Sequence, residues 1–148
     1  MKHRLFLAIN LPQTLHAPLI KLQTDLQKLG VSVDWEKPER THMVLNYLGK
    51  VEHASLSALQ GSFFATARQF QPFNLNLQFL ETLYQRHEQS LIYLAPSGQI
   101  DALKALQKEF TKIVSKEFKI PQPMRFLPHF TIGQIAKIDP VFTKHVID

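Results

Sequence analysis

The chain has 148 residues, a length typical of one domain, and its hydrophobic content of 45% is enough for a buried core. It contains no cysteine, which excludes disulfides and thiolate metal sites. The net charge of +5 favours anionic partners such as nucleic acid or phosphorylated small molecules. The apolar stretch before Pro12 is too short for a spanning helix and lacks a cleavage site. We therefore expect a cytoplasmic protein without a targeting segment and without contact with a membrane.

The first third of the chain predicts a strand, a helix and a second, shorter strand. Residues 3–11 alternate in polarity and are rich in strand-forming residues, which predicts a strand. Leucines spaced by four and three residues then predict a helix that ends at Gly30, with an apolar face formed by Leu15, Leu19, Leu22, Leu26 and Leu29. Residues 31–35 predict a short strand, and a turn around Pro38 leads into the strand that carries His42.

The middle of the chain predicts two further helices with two strands between them. Residues 54–70 predict an amphipathic helix, and residues 73–80 alternate apolar and polar side chains as in a half-buried strand. A polar connection over residues 84–90 precedes a strand at residues 91–95. The longest helix is expected to begin with Ser97 as its N-cap. Its lysines are spaced by four and are expected to form a solvated face, namely Lys104, Lys108, Lys112 and Lys116.

Two histidines stand in matched sequence contexts far apart in the chain. His42 precedes a β-prone run that ends at a glycine, and His129 lies in a second β-prone stretch, residues 125–138. The order of elements around them suggests a weak internal duplication into two α+β lobes, each a small antiparallel sheet with helices on one side. No linker separates the lobes, so we expect one domain over residues 1–148 in which the two histidines face each other across a cleft.

The alternation of side chains along a strand groups further residues with each histidine. It places Asn46 on the face of the first histidine and Tyr47 on the opposite face, and it groups Thr131 and Gly133 with the second histidine. In both strands the more apolar set is expected to face the helices. Both histidines should then project from the other side of the sheet.

Paired imidazoles suit proton transfer, because one ring can accept a proton while the other gives one up, and both can do so around neutral pH. Two such rings can cleave a phosphodiester without a metal ion. A zinc site is the weaker interpretation: the chain has no HExxH or HxH motif, and His87 and Glu88 lack partners at a ligand-like spacing. We therefore expect neither a metal nor another cofactor.

The segments VDWEKPERTHMVLNYLGKV (residues 33–51) and FLPHFTIGQI (residues 126–135) resemble the two-histidine (2H) phosphoesterase superfamily. The resemblance is to its RNA 2′,3′-cyclic phosphodiesterases, the 2′-5′ RNA ligase-like family, and covers about residues 3–136. The family pattern, the HxTx motif, is a histidine, any residue, Thr or Ser, and an apolar residue, and it occurs twice. The resemblance implies an α+β class and a bilobed, pseudo-two-fold fold, with antiparallel sheets lining a central groove and helices packed outside.

The same resemblance implies the activity and the roles of individual residues. It implies metal-independent hydrolysis of a 2′,3′-cyclic phosphate, at RNA ends or on small nucleotides, to a 2′-phosphate. His129 would be the base that activates water and His42 the acid that protonates the 3′ oxygen, although the two roles could be reversed. Thr131 matches the second hydroxyl position and would bind a phosphate oxygen. Tyr93 matches an aromatic position and either stacks on a nucleobase or fills the core.

The sequence departs from the family pattern in three places. Val44 stands where the family has Thr or Ser, and Gln134 stands where many relatives carry a basic residue. Arg125 either compensates for that neutral residue as a substrate contact or is a solvated surface arginine. The segment after the second motif is shorter than in relatives, which would leave a sheet edge open. We expect a monomer, with an edge-mediated dimer as the alternative.

Other functions agree with the same residues. A catalytically weakened module that binds RNA or a nucleotide would retain the groove and the basic surface. An enzyme of the same class could instead perform 2′-5′ RNA ligation or act on a cyclic phosphate of an ADP-ribose derivative. The expected partner in the leading interpretation is RNA, or a nucleotide, that carries a cyclic phosphate.

Overall fold

The computed structural model describes residues 2–30, 32–84, 90–122 and 125–135. Its helices are α1 (His16–Gln27), α2 (Leu56–Ala67) and α3 (Ile100–Lys112). Its strands are β1 (Lys2–Asn10), β2 (Asp34–Trp35), β3 (His42–Glu52), β4 (Leu75–Tyr84), β5 (Ser90–Gly98) and β6 (Phe130–Ile135). The predicted α+β class is confirmed. Most of the predicted polar connection, the pair His87 and Glu88, and everything after residue 135 lie outside the described residues.

The strands form two sheets. One sheet pairs β1 with β3, and the other has the order β2-β6-β5-β4, with β6 antiparallel to both of its neighbours. The chain divides into two compact units built from interleaved segments. The first unit comprises Met1–Ala8, Val44–Asn76 and Ser97–Leu127, and the second comprises Ile9–Met43, Leu77–Pro96 and Pro128–Asp148. That they form one domain stays a prediction.

The core of the first unit forms between α2, α3 and the β3 strand. Phe63 of α2 and Phe110 of α3 meet edge to face, with ring centroids 5.2 Å apart. Such a pair contributes about 0.5–1.5 kcal/mol beyond the burial of its area. The other buried apolar side chains of this unit are Leu45, Leu48, Val51, Leu59, Leu103, Ile113 and Val114. The predicted lysine face is confirmed, because Lys104, Lys108 and Lys112 of α3 and Lys116, in the turn that follows α3, are all exposed.

The core of the second unit forms where α1 and the four-stranded sheet bury their apolar side chains. Leu19 and Leu26 of α1 are buried as its leucine spacing predicts, whereas Leu29 lies beyond the helix end and is 41% exposed. The sheet contributes Leu91, Ile92, Leu94, Phe130, Ile132 and Ile135. On the outer face of α1, Lys21 donates to Asp25 over 2.8 Å and lowers the pKa of that carboxyl. This pair is fully exposed and stabilises the helix little.

The start of α3 differs from the prediction. Ser97 is not its N-cap, because β5 continues to Gly98 and the helix begins at Ile100, with Gln99 as the capping residue. Gly98 has a φ of +96°, a conformation that residues with a Cβ rarely adopt. The backbone N–H of Gln99 donates to the carbonyl of Asn74 over 3.1 Å, so strand pairing extends past the serine.

The pattern along β3 also differs from simple alternation. Asn46 is 1% exposed and Tyr47 is 59% exposed, the reverse of the prediction. The Asn46 amide nitrogen donates to the hydroxyl of Thr111 on α3 and to the side-chain oxygen of Gln122, each over 3.0 Å. These hydrogen bonds offset the cost of burying the amide nitrogen and draw Asn46 toward α3, although the amide oxygen is buried without a partner among the described residues. A polar residue has taken the position that the sequence pattern assigned to an apolar one.

Candidate active site

A β-bulge in β6 determines which residues of the second motif share a face. Tyr93 of β5 is opposite Thr131, but the next pair along β5 is Ile92 with Gly133, so Ile132 is an extra residue. A bulge of this kind changes the face to which the following residues point. Side chains directly opposite each other lie on the same face of an antiparallel pair. The predicted grouping of Gly133 with Thr131 is therefore wrong, and Gln134 takes that place.

Gly133 instead lies against the side chains that precede the first motif. A Cβ atom at this position would be 2.8 Å from Cε3 of Trp35 and 2.8 Å from Cγ1 of Val33. Strand β2 pairs with β6 at this point, with Trp35 opposite Gly133 and Asp34 opposite Gln134. The indole therefore needs a glycine beneath it. This contact brings the segment before His42 next to the segment after His129.

His129 lies directly before β6, beside a buried tyrosine. The rings of His129 and Tyr93 meet edge to face with centroids 5.3 Å apart and an interplanar angle of 67°. Tyr93 is 5% exposed, so it offers no open face to a nucleobase. This burial favours the alternative of a core residue, and the role of Tyr93 toward a substrate stays a prediction. Because Tyr93 is also opposite Thr131, one aromatic ring adjoins two residues of the second motif.

His42 is the first residue of β3, and its ring is held by the turn before it. Its Nδ1 is 2.7 Å from the carbonyl oxygen of Arg40. A carbonyl accepts hydrogen bonds and cannot donate, so Nδ1 carries a proton. In the neutral ring Nε2 is then the unprotonated nitrogen, and in the charged ring Nε2 is the second donor. Thr41, beside it, is 1% exposed and its carbonyl accepts from the N–H of Leu11 over 3.0 Å.

A pocket of about 310 Å³ lies at the junction of β2 and β6. One wall is formed by Thr131, Gly133 and Gln134 of the second motif segment. The other wall is formed by residues 34–37 and by Arg40, which precede the first histidine. Two of the predicted site residues, Thr131 and Gln134, therefore meet in one pocket.

A buried glutamine holds the two walls of this pocket together. Gln23 of α1 is 8% exposed, and its side-chain nitrogen donates to the carbonyl of Glu36 over 2.8 Å and to that of Ile132 over 3.1 Å. The N–H of Glu36 also donates to the Ile132 carbonyl over 2.9 Å. The amide thus bridges the strand before the first histidine and the bulge after the second. Such buried hydrogen bonds fix the separation of the two walls.

Val44 and Arg125, the other two predicted contacts, belong to the first unit, whereas both histidines belong to the second. Val44 is half-buried on β3, and Arg125 is exposed in the segment that precedes His129. Their roles toward a substrate stay predictions.

Sequence reasoning missed Gln23, Lys37 and Arg40. Gln23 lies four residues after Leu19 and three before Leu26, on the apolar face of the helix, and a polar residue there was the available signal. The two basic residues directly precede the first motif, but the sequence does not show that they line a pocket with Thr131. That depends on the pairing of β2 with β6.

Within the described residues, no three His, Asp or Glu side chains are grouped so that they could hold a metal ion. No helix in the same part of the chain is long and apolar enough to cross a membrane.

Comparison with known proteins finds no matching family model. The chain is 25% identical over 139 residues to the RNA 2′,3′-cyclic phosphodiesterase of Methanothermobacter thermautotrophicus, covering 91% of this chain and 72% of that protein. It is 22% identical over 138 residues to the protein of the same description from Methanocaldococcus jannaschii, covering 92% of this chain and 73% of that protein.

The fold is similar to that of a solved crystal structure. The crystal structure of E. coli LigT in complex with 3′-AMP matches with a TM-score of 0.69 at 20% identity, over 95% of this chain and 75% of that one. The fold, the two histidine motifs and the curated relatives agree. Sequence and fold together support the resemblance to the 2H phosphoesterase superfamily.

Proposed function

We propose that this chain is an RNA 2′,3′-cyclic phosphodiesterase that opens the cyclic phosphate to a 2′-phosphate without a metal ion. The observation that carries the proposal is the placement of His129 and Thr131 beside Tyr93, with His42 in the same compact unit. The names of the curated relatives, which match over most of this chain, support the same reaction.

In the proposed reaction one histidine is a general base and the other a general acid. His129 takes a proton from water, and the water oxygen forms a bond to phosphorus. The bond between phosphorus and the 3′ oxygen breaks, and His42 gives its Nε2 proton to that oxygen. The Nδ1 proton of His42 stays in its hydrogen bond to the Arg40 carbonyl, which orients the ring. The Thr131 hydroxyl donates to a non-bridging phosphate oxygen, where negative charge develops.

Turnover of a 2′,3′-cyclic nucleotide in excess chelator tests this proposal. The wild-type chain should form the 2′-phosphate, and its position can be read by ³¹P NMR. His42→Ala and His129→Ala should each lower kcat by about 10²-fold or more, the usual contribution of a positioned acid or base. His53→Ala is a matched control, because His53 is an exposed histidine of the first unit that contacts His3. Full activity in both His42→Ala and His129→Ala would contradict the two-histidine mechanism.

A second candidate function, a module that binds RNA or a nucleotide without turnover, is favoured by Val44 and Gln134. Val44 has no hydroxyl, and loss of a donor to a charged group costs about 1.5–3 kcal/mol. That corresponds to about 10- to 150-fold in rate if the interaction forms in the transition state. Binding of RNA that weakens with salt, together with no product after prolonged incubation, would identify this second function.

A further inference from the structure

The pocket at the junction of β2 and β6 contains more charge than the second motif alone provides. Thr131 and Gln134 are both neutral, whereas Lys37 and Arg40 line the same pocket from the opposite wall. Two carboxylates, Asp34 and Glu36, line it as well. We propose that Lys37 and Arg40 bind the phosphate of the substrate beside Thr131 and supply the positive charge that Gln134 does not.

The two basic residues lie on a turn that is ordered before any ligand binds. The carbonyl of Lys37 accepts from the N–H of Arg40 over 2.9 Å and from the hydroxyl of Thr41 over 3.0 Å. Pro38 between them is buried and begins a 3₁₀ turn. The turn ends at the Arg40 carbonyl, which accepts from the His42 ring. The backbone that carries both cations is thus fixed to a catalytic histidine, and binding needs little further ordering of it.

The pocket walls are also fixed, by the Gln23 amide that bridges Glu36 and Ile132. Among the described residues, Lys37 and Arg40 form no ion pair within 4.0 Å. The side chains of both residues therefore retain N–H groups that can donate hydrogen bonds to an anion. An arginine at this position can bind two phosphate oxygens at once, and a lysine acts as a point charge.

Because the pocket contains two carboxylates, the inference predicts opposite effects on phosphate binding for the loss of a cation and the loss of a carboxylate. With two cations and two carboxylates, the ionisable side chains of the pocket balance in charge. Removing one cation leaves the pocket net negative and should weaken phosphate binding. Removing one carboxylate leaves it net positive and should strengthen phosphate binding. A merely structural role for these side chains would not produce opposite effects.

Binding of inorganic phosphate, followed by the amide NMR shifts of Thr131 and Gly133, measures this site directly. Lys37→Gln and Arg40→Gln should each raise the dissociation constant about threefold to tenfold, as expected for charged hydrogen bonds at a partly exposed site. Asp34→Asn should lower the dissociation constant for phosphate. Lys104→Gln makes the same charge change on the exposed face of α3 and should have no effect. Thermal unfolding of each variant checks that it is folded.

A rescue variant tests whether the charge itself matters. Adding Gln134→Arg to Arg40→Gln should restore phosphate binding, because it returns a guanidinium to the same pocket from the other wall. Adenosine 2′,3′-cyclic phosphate should follow the same order of affinities as phosphate, and adenosine without a phosphate should not distinguish the variants. The inference is overturned if wild-type, Lys37→Gln and Arg40→Gln bind phosphate equally, or if the wild type binds none.

The inference rests on the proposed function, since the anion is the phosphate of that substrate, but the two can fail separately. A wild-type chain that binds phosphate through Lys37 and Arg40 without turning over a cyclic nucleotide would support the site and contradict the reaction. Turnover that is indifferent to both substitutions, with unchanged phosphate binding, would support the reaction and overturn the site.

Discussion

At the scale of single residues, the hydrogen bond between His42 and the Arg40 carbonyl does more than orient the ring. It assigns the proton of the neutral ring to Nδ1, so that Nε2 is the nitrogen available for proton exchange in the proposed reaction. The hydrogen bond determines which ring nitrogen is available, but not whether His42 is the acid or the base, because Nε2 can accept a proton or give one up. His129 is constrained in a different way, by the edge-to-face contact with Tyr93.

We predict that Tyr93 orients His129 rather than binding a base. Tyr93→Leu removes the ring contact and should lower kcat by about tenfold with little change in KM, because small misplacements of a catalytic group are costly. Tyr93→Phe keeps the aromatic ring and should retain most of the activity. Steady-state kinetics on a 2′,3′-cyclic nucleotide separates these effects. A large rise in KM for the leucine variant, with kcat intact, would instead support base stacking.

We predict that restoring a hydroxyl at residue 44 increases activity. Val44→Thr introduces the group that the family has at this position, and a hydrogen bond to a charged oxygen is worth about 1.5–3 kcal/mol. If the bond forms in the transition state, kcat/KM should rise by about tenfold or more. Val44→Ala removes both γ-methyl groups without adding a donor and should show no gain. Equal activities for the threonine and alanine variants would exclude a phosphate contact from residue 44.

At the scale of elements, the pocket depends on a helix that contributes no wall to it. Gln23 of α1 holds the carbonyls of Glu36 and Ile132, so the helix sets the position of β2 against the bulge in β6. Strand β2 has two residues and would pair weakly on its own. The buried amide and the Trp35 ring over Gly133 together hold this short strand in register.

We predict that Gln23→Ala destabilises the protein. The part-buried Glu36 carbonyl would lose the Gln23 hydrogen bond, and the Ile132 carbonyl would lose the buried one, which together should lower the free energy of unfolding by about 1–3 kcal/mol. Gln27→Ala, at the exposed end of the same helix, should change it by less than about 0.5 kcal/mol. Chemical denaturation of the two variants makes the comparison. Similar stabilities would show that the bridge between the pocket walls is dispensable.

At the scale of the whole molecule, the net charge of +5 bears on which substrate binds best. An RNA strand presents many phosphates and a mononucleotide presents one. The affinity for a single-stranded RNA that ends in a cyclic phosphate should therefore fall with salt, with a log-log slope of about −0.7 per phosphate contacted. The affinity for the mononucleotide should depend on salt only weakly. Fluorescence anisotropy at several salt concentrations measures both, and equally shallow slopes would favour small nucleotides over RNA.

Local patterns in the sequence were enough to predict most elements of the fold. The spacing of Leu19 and Leu26 in α1 and the spacing of the exposed lysines depend on neighbouring residues, and both are read correctly without a structure. The roles of the two histidine motifs stay predictions. The errors arose where long-range hydrogen bonds overrule local preference. Ser97 remains in a strand because Gln99 still pairs with Asn74, and Asn46 is buried because Thr111 and Gln122 bind it.

The sequence by itself determined the α+β class and the resemblance to the 2H phosphoesterases, because both depend on residue types and spacings within single segments. Tertiary structure alone decided that Ile132 forms a bulge, that Gln134 shares a face with Thr131, and that Lys37 and Arg40 line their pocket. The physical reason is that pairing register joins segments about a hundred residues apart, and one extra residue in one strand reverses every face after it.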